Sequence, residues 1–427
     1  MKTQLLAAAV EIDITPPVGI YLDGYAARQG TSQGVHDPLM AQLLLLRAGE
    51  RQSVIVCLDL IGMGLEFSQQ VRQGIKAVIG APVECILLAC SHTHSGPAGF
   101  LPPHPGFTTR QDPDLQQMVV RKLCGGAIWV AQRLKPARLG IGRGSLDGIG
   151  LNRNDPEHGL VDREVLVLRI DDEAGKPLAV LMNYGCHPTV LGYQNLLFSA
   201  DYPGAARSTL RQIYPDTVFL YTNGASGDVS TRFTRRDQSF AEVERMGRLL
   251  AGEVLKLMQV IRTQPEVELN GRTSPVTLSF RPFPPSEVAQ LEIQRLQSEL
   301  DALKAAGAPH GEIRRATTRV EGATGQALMA QELAGRAANI SQIQVLQIDD
   351  LGLVGIPGEP FTRTVLDIKR DSPHLFTAVL SYANDNRGYF PDAASVAEGD
   401  YEALISPYGA QVAEGLHQAA IALLRKG

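Results

Sequence analysis

Long apolar runs, an excess of basic residues and paired cysteines are all missing from this 427-residue sequence. No apolar stretch approaches the roughly 20 residues a helix needs to cross a bilayer, which excludes a helical membrane span. Lys and Arg total 40 against 45 Asp and Glu, a net charge of -5, so there is no basic face for nucleic acid. The five cysteines (Cys57, Cys85, Cys90, Cys124 and Cys186) are odd in number and show no Cys-x-x-Cys spacing. They read as buried thiols in a reducing cytoplasm, the expected location. Neither an internal repeat nor a low-complexity tract is present, which excludes a solenoid. What remains, 44% hydrophobic and 20% charged residues, is an ordinary soluble globular composition.

The N-terminal run from Met1 to Val10 has the look of a signal peptide, but its apolar part is short. It flows into the alternating Glu11-Ile12-Asp13-Ile14-Thr15, so it is expected to stay as the first strand. Strands and helices then alternate to about residue 260. Strands are expected at 53–60, 83–90 and 217–221, helices at 65–78, 114–134, 205–213 and 240–261, and a hairpin at 165–170 and 178–184. A strand at 274–281 leads into a helix that Ser286 would cap, carrying Ile293, Leu296, Leu300 and Leu303 on one stripe. A break at 305–309 precedes a second helix at about 323–338, and a hairpin at 343–348 and 351–356 turns at Asp349-Asp350. A last helix is expected at 408–425. The pattern implies an α/β fold with mixed parallel and antiparallel sheets layered with helices. At 427 residues two lobes and one elaborate domain are equally open, with a helical insertion expected at 286–338.

Chemistry concentrates where apolar strands end. The stretch Cys85 to Cys90 runs into Ser91-His92-Thr93-His94, and alternate residues of an extended chain share a face. Neutral imidazole is the commonest metal ligand, although a hydrogen-bonded turn also explains a His-x-His. A second apolar run ends at His187-Pro188-Thr189, with the proline holding His187 extended. A third, Leu351 to Ile356, ends at Pro357-Gly358-Glu359. Two histidines and a carboxylate at strand tips suit a catalytic zinc site with an open position for water.

In order along the chain stand Asp13-Ile14-Thr15-Pro16, Gly24-Tyr25-Ala26, His92-Thr93-His94-Ser95-Gly96-Pro97, Asn152-Arg153, His187-Pro188-Thr189, Ser199-Ala200-Asp201, Gly227-Asp228-Val229-Ser230 and Pro357-Gly358-Glu359. This series resembles the catalytic domain of the neutral, non-lysosomal ceramidases. The resemblance implies a zinc ion held by His92, His187, Glu359 and Tyr389. It also implies hydrolysis of an N-acyl amide by zinc-bound water, with Arg153 or Tyr401 stabilising the oxyanion and His94 moving a proton to the leaving amine. Ser230 matches a family serine considered as a nucleophile, but no adjacent base is visible in sequence. Contact with substrate is the preferred role.

The chain also departs from the family. Its turn after Ser230 reads Thr231-Arg232-Phe233-Thr234-Arg235-Arg236, where the family pattern has proline and asparagine, and the family's C-terminal β-sandwich is expected to be absent. The arginines would suit an anionic group on the substrate, so zinc hydrolysis is better supported than ceramide itself. The expectation is a zinc amidohydrolase acting on a small-molecule N-acyl substrate. An esterase or lactonase on the same site and a non-catalytic binding protein are the alternatives.

Overall fold

The computed structural model describes residues 2–102 and 111–426. Its largest sheet has nine strands, in the order Val218–Asn223, Pro177–Tyr184, Glu164–Asp172, Lys135–Ser145, Thr3–Asp13, Met40–Ala48, Arg51–Leu58 and Ile86–Cys90, with Glu266–Val267 beside the first-strand edge. The centre of this sheet is weak. Lys135–Ser145 meets Thr3–Asp13 through only Leu6↔Pro136 and Ala7↔Lys135. The sheet therefore behaves as two four-stranded blocks. A third block, Leu269–Ser279, Ala338–Ile348, Leu351–Gly355 and Phe376–Leu380, forms a separate sheet. Parallel pairs end each block nearest the site: Arg51–Leu58 with Ile86–Cys90, Pro177–Tyr184 with Val218–Asn223, and Leu351–Gly355 with Phe376–Leu380.

Side-chain alternation explains why the blocks associate. On strand Arg51–Leu58, Val54, Val56 and Leu58 face one cluster while Ile55 and Cys57 face another, and all five are buried. A strand buried on both sides reads as an unbroken apolar run. One central cluster unites Leu44 and Ile55 of the first block, Leu168 and Leu181 of the second, and Leu346 and Leu353 of the third. Each block's outer face is closed by helices: α1 (Leu65–Ile79) and α2 (Pro113–Ala131), α3 (Asp201–Ile213) and α4 (Phe240–Val260), then α7 (Thr362–Asp371) with helix Ala410–Leu424. Burying one such Leu, Ile or Val contributes roughly 1.5–3 kcal/mol, so the shared centre is the main cement.

The expected α/β layering is present, with corrections at element ends. Residues 83–85 form a 3-10 turn and only Ile86–Cys90 is strand. Ser286 is the first residue of α5 (Ser286–Ala305), preceded by Pro285, and makes no capping hydrogen bond. The second inserted helix is α6 (His310–Glu332), not 323–338, because it starts directly after Pro309, whose fixed φ suits a helix entry. Residue 338 already belongs to a strand. All five cysteines are free; Cys57, Cys90 and Cys186 are buried, whereas Cys85 and Cys124 are half-buried. Among the described residues no helix is long and apolar enough to cross a membrane.

Candidate active site

The three blocks meet at one end, and they are stitched there by polar contacts. Ser381 N–H donates to Asn223 O at 2.9 Å, Asn183 Nδ2 to Val379 O at 3.1 Å, and Asn223 Nδ2 to Ser91 O at 3.3 Å. Leu88 N–H donates to Asn384 Oδ1 at 3.0 Å. The chain leaves two of these strands, Ile86–Cys90 and Phe376–Leu380, in a forced conformation at this seam. His92 has φ 68, Tyr382 φ 55 and Asn384 φ 59, the left-handed region that non-glycine residues enter at a cost. Such strain persists only where surrounding contacts fix it, and here it turns the side chains inward.

His92 comes from the first block, His187 from the second and Glu359 from the third, and all three are buried. The Nε2 of His187 lies 3.3 Å from Glu359 Oε2, and the Nε2 of His92 lies 3.8 Å from the same oxygen. Each imidazole is oriented from behind. His92 Nδ1–H donates to Ile61 O at 2.5 Å, and His187 Nδ1–H donates to Ser226 O at 2.5 Å. With Nδ1 protonated, both neutral rings present a bare Nε2 lone pair, and that of His187 is buried without a hydrogen-bond partner. Burial holds both imidazoles well below the usual histidine pKa, so they are neutral at working pH.

His94 joins them. Its Nε2 is 3.1 Å from His92 Nε2, and one donor atom from each of the three histidines lies within 4.8 Å of the others. As a hydrogen bond this contact requires a proton on one of the two Nε2 atoms, whereas as part of a metal site it requires both as lone pairs. Gly24 seals the other side of the ring: a Cβ there would stand 2.6 Å from His94 Cγ and Nδ1, and its φ of 109 independently favours glycine.

Tyr389 and Arg153 complete the floor. The Tyr389 ring centroid is 6.4 Å from that of His187, and Arg153 Cζ sits 5.3 Å over the Tyr389 ring. Arg153 also hydrogen-bonds Tyr389 and donates to Gly227 O. Its Nε is 2.9 Å from Glu402 Oε1. Burial works against this guanidinium, but Glu402, Tyr389 and Glu359 outweigh it and keep it firmly charged. Burial likewise pushes the Tyr389 phenol far up, with Arg153 opposing. Tyr401 begins the short helix Tyr401–Leu404, immediately before Glu402. Ser230 is buried beside His187, to which it is joined by a backbone bridge, and its Oγ accepts only from Arg232 N–H at 3.4 Å among the described residues. Of the arginines after Ser230, Arg235 donates to Thr189 O.

Four contributors escaped the sequence reading. Tyr382 stacks on His92 at 3.8 Å and donates to Glu359 Oε2 at 3.3 Å, fixing ligand and carboxylate together. It follows strand Phe376–Leu380, so the strand-tip rule applied to the other tips would have found it. Glu402 balances Arg153. Asp228 carries the turn, accepting at Oδ1 from Thr362 N–H and Oγ1–H, and at Oδ2 from Asn152 Nδ2. Asp23 lines the cleft above the histidines. That cleft has a volume of about 120 Å³, with Ile61, Leu101, Pro102 and Ile405 as apolar wall beside His92, His94, Glu359 and Tyr389.

Comparison with known proteins places these residues in a context. Over 217 residues the chain is 28% identical to neutral ceramidase A of Dictyostelium discoideum, covering 45% of this chain and 30% of that protein. Over 275 residues it is 25% identical to neutral ceramidase 1 of Arabidopsis thaliana, covering 59% and 34% respectively. The matched part thus spans about a third of the length of these relatives. The neutral ceramidase structure from Pseudomonas aeruginosa superposes with a TM-score of 0.75 at 19% identity, over 99% of this chain and 75% of that one, a likeness of fold. Residues 6–232, more than half the chain and including His92, Arg153, His187 and Ser230, match the family described as neutral/alkaline non-lysosomal ceramidase, N-terminal, and the chain belongs to that family.

Proposed function

We propose that this chain is a zinc-dependent amidohydrolase that cleaves an N-acyl amide, ceramide-like or smaller. The observation that carries the reading is the convergence of the His92 and His187 Nε2 atoms on one Glu359 oxygen, with the His187 lone pair buried without a hydrogen-bond partner. Such an arrangement is costly unless a cation occupies it. The donor set of two imidazoles, a carboxylate and Tyr389 suits zinc, with His94 as a further imidazole at hand. When bound, zinc supplies a Lewis acid for the carbonyl and a water acidified to near neutral pH.

The chain's own groups supply the rest. Arg153 holds the Tyr389 phenol in place and, with Tyr401, provides charge and donors toward a developing oxyanion. His94, kept neutral by burial, takes up the proton released as water adds to the carbonyl and passes it to the leaving amine. Ser230 serves as a substrate contact, since no imidazole or carboxylate hydrogen-bonds its Oγ among the described residues and a nucleophilic serine requires such a base. The apolar wall accommodates the acyl portion and keeps bulk water away.

The test is metal analysis of the purified protein together with turnover of a panel of N-acyl amides and matched esters. About one zinc per chain and zinc-dependent amide cleavage are expected. Metal-free protein that stays inactive when zinc is supplied would refute the reading, and cleavage confined to esters would change the bond.

A further inference from the structure

Asp23 is the polar group in the cleft that the chemistry above leaves unused. Its backbone is fixed on both sides: N–H donates to Gly96 O at 3.1 Å, and its O accepts from Arg28 Nη1 at 2.9 Å. Leu22 before it bridges to Pro97, and Gly24 after it is wedged against His94. The side chain is therefore held in one place, and it lines the same cleft as His92, His94, Glu359 and Tyr389. Yet its Oδ2 is buried with no hydrogen-bond partner, and no side-chain hydrogen bond to Asp23 exists among the described residues. The neighbouring Arg28 does not fill the gap, because its Nη1 and Nη2 donate to the backbone oxygens of Asp23 and His94. Burial, only partly offset by Arg28, raises this carboxyl to about 7.

A half-buried carboxyl with one oxygen buried and unpaired in a binding cleft is a cost that folding alone does not recover. Asn386 lines the same cleft, where its Oδ1 accepts from Gly388 N–H at 3.0 Å and its amide makes no hydrogen bond to Asp23 among the described residues. We infer that Asp23 is a specificity residue, its carboxylate receiving an N–H or O–H donor carried by the substrate close to the scissile amide. A protonated amine fits best, since a charge-assisted hydrogen bond offsets the buried charge more fully than a hydroxyl does. This inference rests on the hydrolase reading of the same site. It narrows the substrate to amides with a polar, preferably cationic, substituent, and it disfavours partners that present only hydrocarbon at this wall.

The experiment compares three N-acyl amides of matched size, ending in a methyl, a hydroxyl or an ammonium group, on the zinc-loaded wild type and on Asp23→Asn and Asp23→Leu. In the wild type kcat/KM should rank ammonium over hydroxyl over methyl, and in either variant the ammonium-to-methyl ratio should fall by about 10- to 100-fold, carried by KM. Zinc content should be unchanged and Tm no lower in Asp23→Asn, because the carboxylate makes no bond within the protein; a purely structural aspartate would lower Tm. A ratio that stays constant in both variants overturns the inference. Calorimetric titration with the free amine of the ammonium substrate provides an arm independent of turnover. If the wild type cleaves none of the amides, the hydrolase reading fails. Asp23 is then still decided by whether the variants bind that amine at least tenfold more weakly or equally well.

Discussion

Two buried polar centres join the first and second blocks, and they are built on opposite plans. At the end of strand Arg51–Leu58, Asp59 meets Arg207 of α3 in a forked pair, Nη1 to Oδ1 at 3.0 Å and Nη2 to Oδ2 at 2.5 Å, with Met40 N–H also donating to the carboxylate at 2.9 Å. At the seam, His92, His187 and Glu359 approach one another with matching lone pairs and no donor among them. The first centre answers each carboxylate oxygen from within the chain. The second leaves the Nε2 of His187 unanswered. Self-completion marks scaffold, whereas convergent lone pairs mark a place for a guest.

Substitution at each centre should separate the two plans. The largest effect on chemistry is expected from His187→Ala: bound zinc disappears, and kcat/KM falls by several orders of magnitude. A variant that retains its full zinc content would break the assignment of His187. The largest effect on stability belongs to the other centre. Asp59→Ala strands Arg207 in the core and should cost about 3–5 kcal/mol in urea denaturation, while the folded fraction keeps wild-type zinc stoichiometry. Gly24→Ala falls between the two plans. It forces a methyl into the His94 ring and a left-handed backbone onto alanine, so a loss of about 1–3 kcal/mol is expected, with kcat reduced about 10- to 100-fold. Smallest is Ser230→Ala, which should lower kcat by no more than about tenfold. Complete loss of turnover with zinc intact would instead make Ser230 the attacking group.

The legible part of this site was the part written as a transition from apolar strand to polar turn. His92, His187 and Glu359 each follow such a run, and the structure brings the three together from three blocks. Tyr382 obeys the same rule but carries an unremarkable residue type for a metal site, so nothing drew attention to it. Glu402 and Asp23 have no local signature at all: their importance lies in what stands opposite them in space, Arg153 in one case and an empty stretch of cleft in the other. Elements with a strong apolar stripe were readable to within a few residues. The start of α6 was not, because among the described side chains of its first turns only Ala316 is buried, which gives a weak period.

The weak join at Leu6↔Pro136 and Ala7↔Lys135 has a mechanical consequence. The three blocks share an apolar centre, which resists separation but tolerates small sliding, and their far ends are tied at the cleft by residues drawn from each. An ion gripped by His92, His187 and Glu359 would act as a clasp across all three, so loading it should raise Tm for the whole molecule through binding to the folded state alone. Conversely, the first loosening of the blocks in dilute denaturant should open the clasp and silence turnover before the helices begin to melt.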